Sequence, residues 1–174
     1  LPGGAGQSQR LAEFARFPVR DRDPASRQRG NAMPIFATEG ALLSAVVTIL
    51  AILLYSYMSV RVGQMRGKHN ITAPATSGHP EFERAFRIHY NTLEALAVFI
   101  TLLWLATIYF HTLPWLPALV GLLWVIGRVI YMTGYTADPA KRGTGFGISM
   151  LCQFVLLVLA IIGIVQTWMA VNAA

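Results

Sequence analysis

A chain of 174 residues is short enough for one domain, and an apolar fraction of 55% beside 13% charged residues sets it apart from soluble globules and points to a membrane protein. The net charge of +6 is no nucleic-acid signature: Arg10, Arg16, Arg20, Arg22, Arg27 and Arg29 crowd the first thirty residues, no basic surface is interleaved with aromatics, and anionic lipid accounts for the charges that flank the apolar runs. A single cysteine, Cys152, excludes an intrachain disulfide and reads as a packing residue.

Residues 1–32, rich in Gly, Pro, Arg and Ser and without an initial methionine, read as a disordered or non-native extension, with no apolar core of the kind a signal peptide needs. Residues 33–174 read as one four-span membrane domain, with Met33 as the native start. A bilayer core of about 30 Å needs roughly 20 apolar residues. Four runs meet that length: Ala37 to Val62, Ile88 to Phe110, Trp115 to Thr136, and Phe146 to Val171. Only helices or closed barrels satisfy the backbone in lipid, and runs without alternation favour helices, so the expected fold is an all-α four-helix membrane bundle.

The second helix has a legible start. Pro80 suits the first helical position, and Glu81 and Glu83 complement the dipole in the first turn. From Pro80 to Phe110 it would extend about 46 Å, longer than the hydrocarbon, so its first turns should stand in the headgroup layer or the cytosol. The short connection "HTLP" makes the second and third helices antiparallel neighbours. Arg61, Arg66, Lys68, Arg84 and Arg87 lie in or beside the first loop, and Lys141 and Arg142 in the third, while "HTLP" carries no Lys or Arg. Counted from Met33, the positive-inside rule places loops one and three in the cytoplasm and both termini outside.

Against this apolar background, Arg84, Arg87, Asn91 and Glu94 form one stripe on the second helix, and Gly121, Trp124, Arg128, Tyr131 and Tyr135 form another on the third. Antiparallel packing sets Glu94 and Arg128 at similar depth with opposite sign. A charge near the bilayer centre costs about 2.5 to 3.5 kcal/mol on insertion scales. Mutual neutralisation of Glu94 and Arg128 answers that cost but leaves Arg87, Asn91, Tyr131 and Tyr135 unexplained. Snorkelling accounts for Arg84 and Arg87 singly, whereas a small zwitterionic or anionic ligand accounts for the whole set. Gln153 reads as a bond to a neighbouring helix, and "RGTGFG" as the start of the fourth helix. His69, His79, His89 and His111 share no metal-ligand spacing, so no metal site is expected.

The segment "PEFERAFRIHYNTLE", the four spans and the Tyr-x3-Tyr before the last loop resemble the membrane-associated proteins in eicosanoid and glutathione metabolism (MAPEG), the group with microsomal glutathione transferases, leukotriene C4 synthase and the lipoxygenase-activating protein. The likeness runs from about Thr38 to the end, and "ADPAKRGTGFG" resembles a bacterial-type third loop. It implies a homotrimer in the bacterial inner membrane, with glutathione as thiol co-substrate between subunits near the cytoplasmic face. It also implies that Arg87 and Asn91 hold carboxylate and backbone groups, Glu94 holds the α-ammonium, Tyr131 and Tyr135 contact the tripeptide, and Arg128 supports the cleft from below. Arg61 would reach a carboxylate from the neighbouring subunit. Arg142 would activate the thiol, with Lys141 as the alternative one position away. The expected activity is glutathione-dependent transfer to, or peroxide reduction of, a lipophilic electrophile or hydroperoxide arriving from the bilayer. The alternatives are a non-catalytic lipid-binding or scaffold protein of the same fold, or a small structural or transport subunit. Where some relatives carry an aromatic residue and a proline after the glutamate, this chain has "EALAVF" with Ala95 and Val98, so a substrate does not transfer from eukaryotic members.

Overall fold

The structure, a computed structural model, describes residues 38–173, and the expectations for residues 1–32 and for Met33 lie outside them. Four helices follow in order: α1 (Glu39–His69), α2 (Pro80–Tyr109), α3 (Leu116–Ala137) and α4 (Arg142–Asn172), with a single 3₁₀ turn at Pro139–Lys141. All four spans are long and apolar enough to cross a membrane, and no strand occurs among the described residues. The expected all-α four-helix bundle is the fold of this chain.

Local chemistry fixes each helix end. Thr38 caps α1 by accepting a hydrogen bond from the Ala41 amide at 3.3 Å, and Asn70 ends the helix in the left-handed region at φ 53°, a conformation asparagine tolerates. The helix thus outlasts its apolar run by two turns, because the polar segment from Gly63 to His69 has no reason to unwind once it leaves lipid. Pro80 stands in the first turn of α2, as the sequence predicts, and the cap is the His79 ring, whose Nδ1 accepts from the Glu81 amide at 3.3 Å. At 30 residues α2 is about 45 Å long and overreaches the hydrocarbon. Asp138 accepts from the Ala140 amide at 2.9 Å and turns the chain through the 3₁₀ segment directly into α4. The fourth helix therefore begins at Arg142, four residues before its apolar run, with "RGTGFG" as its first turns.

Most of the core comes from aromatic and small residues. Phe99 of α2 and Trp124 of α3 stack with centroids 3.9 Å apart, surrounded by buried Leu96, Leu103, Val125 and Leu156. Gln153 donates to the Ala95 carbonyl across α2 and α4 at 2.8 Å, and Cys152 is buried beside it. Leucines and isoleucines such as Leu43, Leu53, Leu123, Leu151 and Ile161 face outward, as expected where lipid or another subunit replaces water.

The α3–α4 pair depends on close backbone approach at Gly145. A Cβ there would lie 2.6 Å from the Gly127 carbonyl oxygen and closer still to the Tyr131 amide. Gly127 faces the same contact, where a Cβ would meet Ser149 Oγ at 2.9 Å. Gly145→Ala should therefore force the helices apart and destabilise the protein by about 1–3 kcal/mol despite alanine's higher helix propensity, read as a lower thermal midpoint in detergent. Because Tyr131 lies on that contact, the same change displaces a wall of the site described next.

Candidate functional site

Between the N-terminal half of α2, the C-terminal half of α3 and the start of α4 lies an open cleft of about 720 Å³. From α2 it is lined by Arg87, Tyr90, Asn91 and Glu94, from α3 by Tyr131 and Tyr135, and from α4 by Arg142, Gly143 and Phe146. Helical spacing explains the set. Arg87, Asn91 and Glu94 recur at steps of four and three, Tyr131 and Tyr135 at a step of four, so each helix presents one edge. The Tyr131 ring lies 5.7 Å from that of Tyr135 and 6.4 Å from that of Phe146, and the Arg142 guanidinium carbon sits 5.6 Å above the Tyr135 ring. Arg87, Glu94 and Arg142 are exposed to the cleft, while Tyr131 is buried in its wall.

Arg128 lies beneath this floor with no exposed surface. One of its guanidinium nitrogens donates to Asn91 Oδ1 at 2.8 Å, and the planar group rests 5.2 Å from the Trp124 ring centroid and 5.4 Å from that of Tyr131. Mutual neutralisation of Glu94 and Arg128, the alternative the sequence left open, does not occur: no ion pair joins them among the described residues. Glu94 stands one turn beyond Asn91 and opens to the cleft, so Asn91 is the side chain that reaches α3. Among the described residues it is Glu81 that is paired, with Lys68 Nζ at 2.6 Å and His69 Nε2 at 3.1 Å, where α1 ends and α2 begins.

The two sequence stripes also divide. Gly121 and Trp124 belong to the packed core, and Arg84 turns away from the Arg87 cleft into a second cavity of about 620 Å³ between α1, α2 and α3. Arg61 lines that second cavity, with Met58, Met65 and Ile88 as its apolar wall, and no surface of the first cleft belongs to it. Of the two neighbours Lys141 and Arg142, only Arg142 lines the cleft, because α4 begins there and its first turn faces α3. Sequence reasoning passed over Tyr90 and Phe146. Both lie within long apolar runs: Tyr90 sits beside Asn91 on α2, and Phe146 is brought to the cleft by the close α3–α4 approach. It also set His89 off the stripe, where its ring stacks on Tyr55 at 4.7 Å.

Comparison with known proteins agrees with this architecture. The sequence model described as "MAPEG family" matches residues 44–162. Human microsomal glutathione S-transferase 2 is 37% identical over 129 residues, 74% of this chain and 86% of that protein. Guinea pig (Cavia porcellus) leukotriene C4 synthase is 36% identical over 135 residues, 78% of this chain and 88% of its own length. An uncharacterized protein of Synechocystis sp. is 41% identical over 123 residues, 71% of this chain and 88% of its length. The chain belongs to the MAPEG family and is an integral membrane protein.

The Arg128–Asn91 contact carries a measurable consequence. Asn91→Leu leaves a buried guanidinium without its acceptor and should cost about 1.5–3 kcal/mol of stability. Adding Arg128→Met, which removes the charge as well, should recover much of that loss, so the two substitutions are non-additive in a thermal-denaturation cycle.

Proposed function

We propose that the cleft holds glutathione and presents its thiolate to lipophilic electrophiles entering from the bilayer. The observation that carries this reading is the charge pattern in one cleft: two arginines, one glutamate, an asparagine and three tyrosines, beside helix faces suited to lipid. Glutathione brings two carboxylates, one ammonium and a thiol. Arg87 and Asn91 hold a carboxylate and backbone groups, Glu94 takes the ammonium, and Tyr131 and Tyr135 close over the peptide. Arg128 acts from below by fixing Asn91, and so holds α2 against α3 at the depth where the ligand rests.

Arg142 is the thiol-activating residue. A free thiol has a pKa near 8.5, and an adjacent guanidinium favours the thiolate without surrendering its own proton. Its place in the first turn of α4 adds the positive end of the helix dipole. The sulfur then forms a carbon–sulfur bond to an electrophile, either expelling a leaving group with its bonding pair or opening a π bond or epoxide whose anion takes a proton from solvent. With a hydroperoxide, two glutathiones instead give the disulfide, an alcohol and water. The name glutathione S-transferase carried by one group of relatives supports the co-substrate, and transfer and peroxide reduction both follow from one activated thiolate.

The functional unit is a homotrimer in this proposal. Arg61, on the α1 side of the bundle, then reaches the second carboxylate in a neighbouring subunit's cleft. Loops one and three face the cytoplasm and both termini face out in this proposal, a reading that the Lys and Arg distribution supports when counted from Met33 and that the six arginines upstream of it oppose. In a bacterial cell that membrane is the inner one.

Ultraviolet difference absorbance of the detergent-solubilised protein titrated with glutathione tests the reading. The wild type should give a saturable thiolate band, and Arg142→Ala should lose it at least tenfold while keeping its helical content. A folded wild type without the band would favour the non-catalytic lipid-binding alternative, and a band unchanged in Arg142→Ala would remove Arg142 from its role.

A further inference from the structure

Two of the four histidines meet at the membrane boundary, away from the glutathione cleft. His69 ends α1 and His79 caps α2, ten positions apart in sequence, yet their rings stack with centroids 3.5 Å apart and planes inclined by 14°. Glu81, in the first turn of α2, places Oε2 3.1 Å from His69 Nε2. One ligand atom from each of His69, His79 and Glu81 lies within 4.8 Å of the other two, and all three residues are half-buried.

We propose that His69, His79 and Glu81 form a site for a Zn²⁺-type transition-metal ion that staples the end of α1 to the start of α2. Two imidazoles and a carboxylate are a borderline-soft donor set of the kind that suits zinc, with water completing a tetrahedron. Arms of about 2.0–2.1 Å around a tetrahedral ion put its ligand atoms roughly 3.3–3.4 Å apart, close to the observed His69–Glu81 separation. The His79 nitrogen approaches by splaying the stacked rings about their side-chain torsions.

Binding displaces two contacts. One is the 3.3 Å hydrogen bond from the Glu81 amide to His79 Nδ1. The other is the Lys68–Glu81 pair at 2.6 Å, in which the lysine side chain is 56% exposed and loses little on returning to water. Lys68 lines the same cavity as Arg61 and Arg84, so the ion also releases a cation at that cavity's rim.

The test uses the full detergent-solubilised chain, stripped with a chelator and kept free of glutathione because thiols bind zinc. Zn²⁺ alone is titrated against a chromogenic indicator, and the thermal midpoint is recorded in parallel. The wild type should take one ion per chain with a rise in midpoint. His69→Gln/His79→Asn, which retains a capping side chain at position 79 and leaves His89 and His111 in place, should bind at least tenfold more weakly and show no rise. Should that variant fail to fold, Glu81→Gln carries the same expectation. No uptake by folded wild type, which would leave Glu81 as a shared ion pair only, overturns the proposal. Equal uptake by the variants, which would mean adventitious binding elsewhere, overturns it too.

Discussion

A guanidinium with no exposed surface inside a membrane bundle is the constraint around which this structure is arranged. Arg128 cannot shed its charge readily, and a cation at that depth is costly unless the protein surrounds it. Asn91 supplies a neutral acceptor from α2, and Trp124 and Tyr131 supply aromatic faces from α3 itself. Those contacts hold α2 and α3 at one register. Arg87, one turn from Asn91 on α2, and Tyr135, two turns from Arg128 on α3, therefore inherit their spacing from a contact set beneath the cleft.

Neutral solvation of Arg128 also leaves Glu94 unspent. Had the carboxylate paired with the buried arginine, it would be neutralised and drawn into the bundle. Instead it stays in the cleft with Arg87 and Arg142, and the surface offers both signs of charge to a zwitterion. Close packing at Gly127 and Gly145 completes the arrangement by bringing the first turn of α4, and Arg142 with it, against the Tyr135 edge. An amphipathic reaction needs this division, with a wet polar cleft on one side of a helix pair and lipid-facing leucines on the other.

Much of this was legible in the sequence because lipid makes the rules simple. Apolar length gave the spans, Pro80 with Glu81 and Glu83 gave the start of α2, and residue steps of three and four gave the cleft edges. What the sequence hid was direction around the helix. Depth arguments put Glu94 level with Arg128, but depth does not say which side chain points across, and Asn91 does. The start of α4 at Arg142 was legible in "RGTGFG", although Gly143, Gly145 and Gly147 dilute the apolar signal and the apolar run itself opens only at Phe146. Arg61 and Arg84 share a cavity that no linear stripe joins, since it is formed by three helices at once. His69 and His79 meet only because the loop between them folds back, and no ligand spacing in the chain anticipates that.

The account's central claim is that the Arg128–Asn91 contact positions the cleft proposed to hold glutathione. Calorimetric titration of glutathione into the Arg128→Met variant, which keeps Asn91 in the cleft, with folding verified by circular dichroism, tests it most directly. The account predicts a folded protein whose affinity falls at least tenfold, about 1.4 kcal/mol. Wild-type affinity in that variant would mean that the cleft stands without the contact, and the account would be wrong.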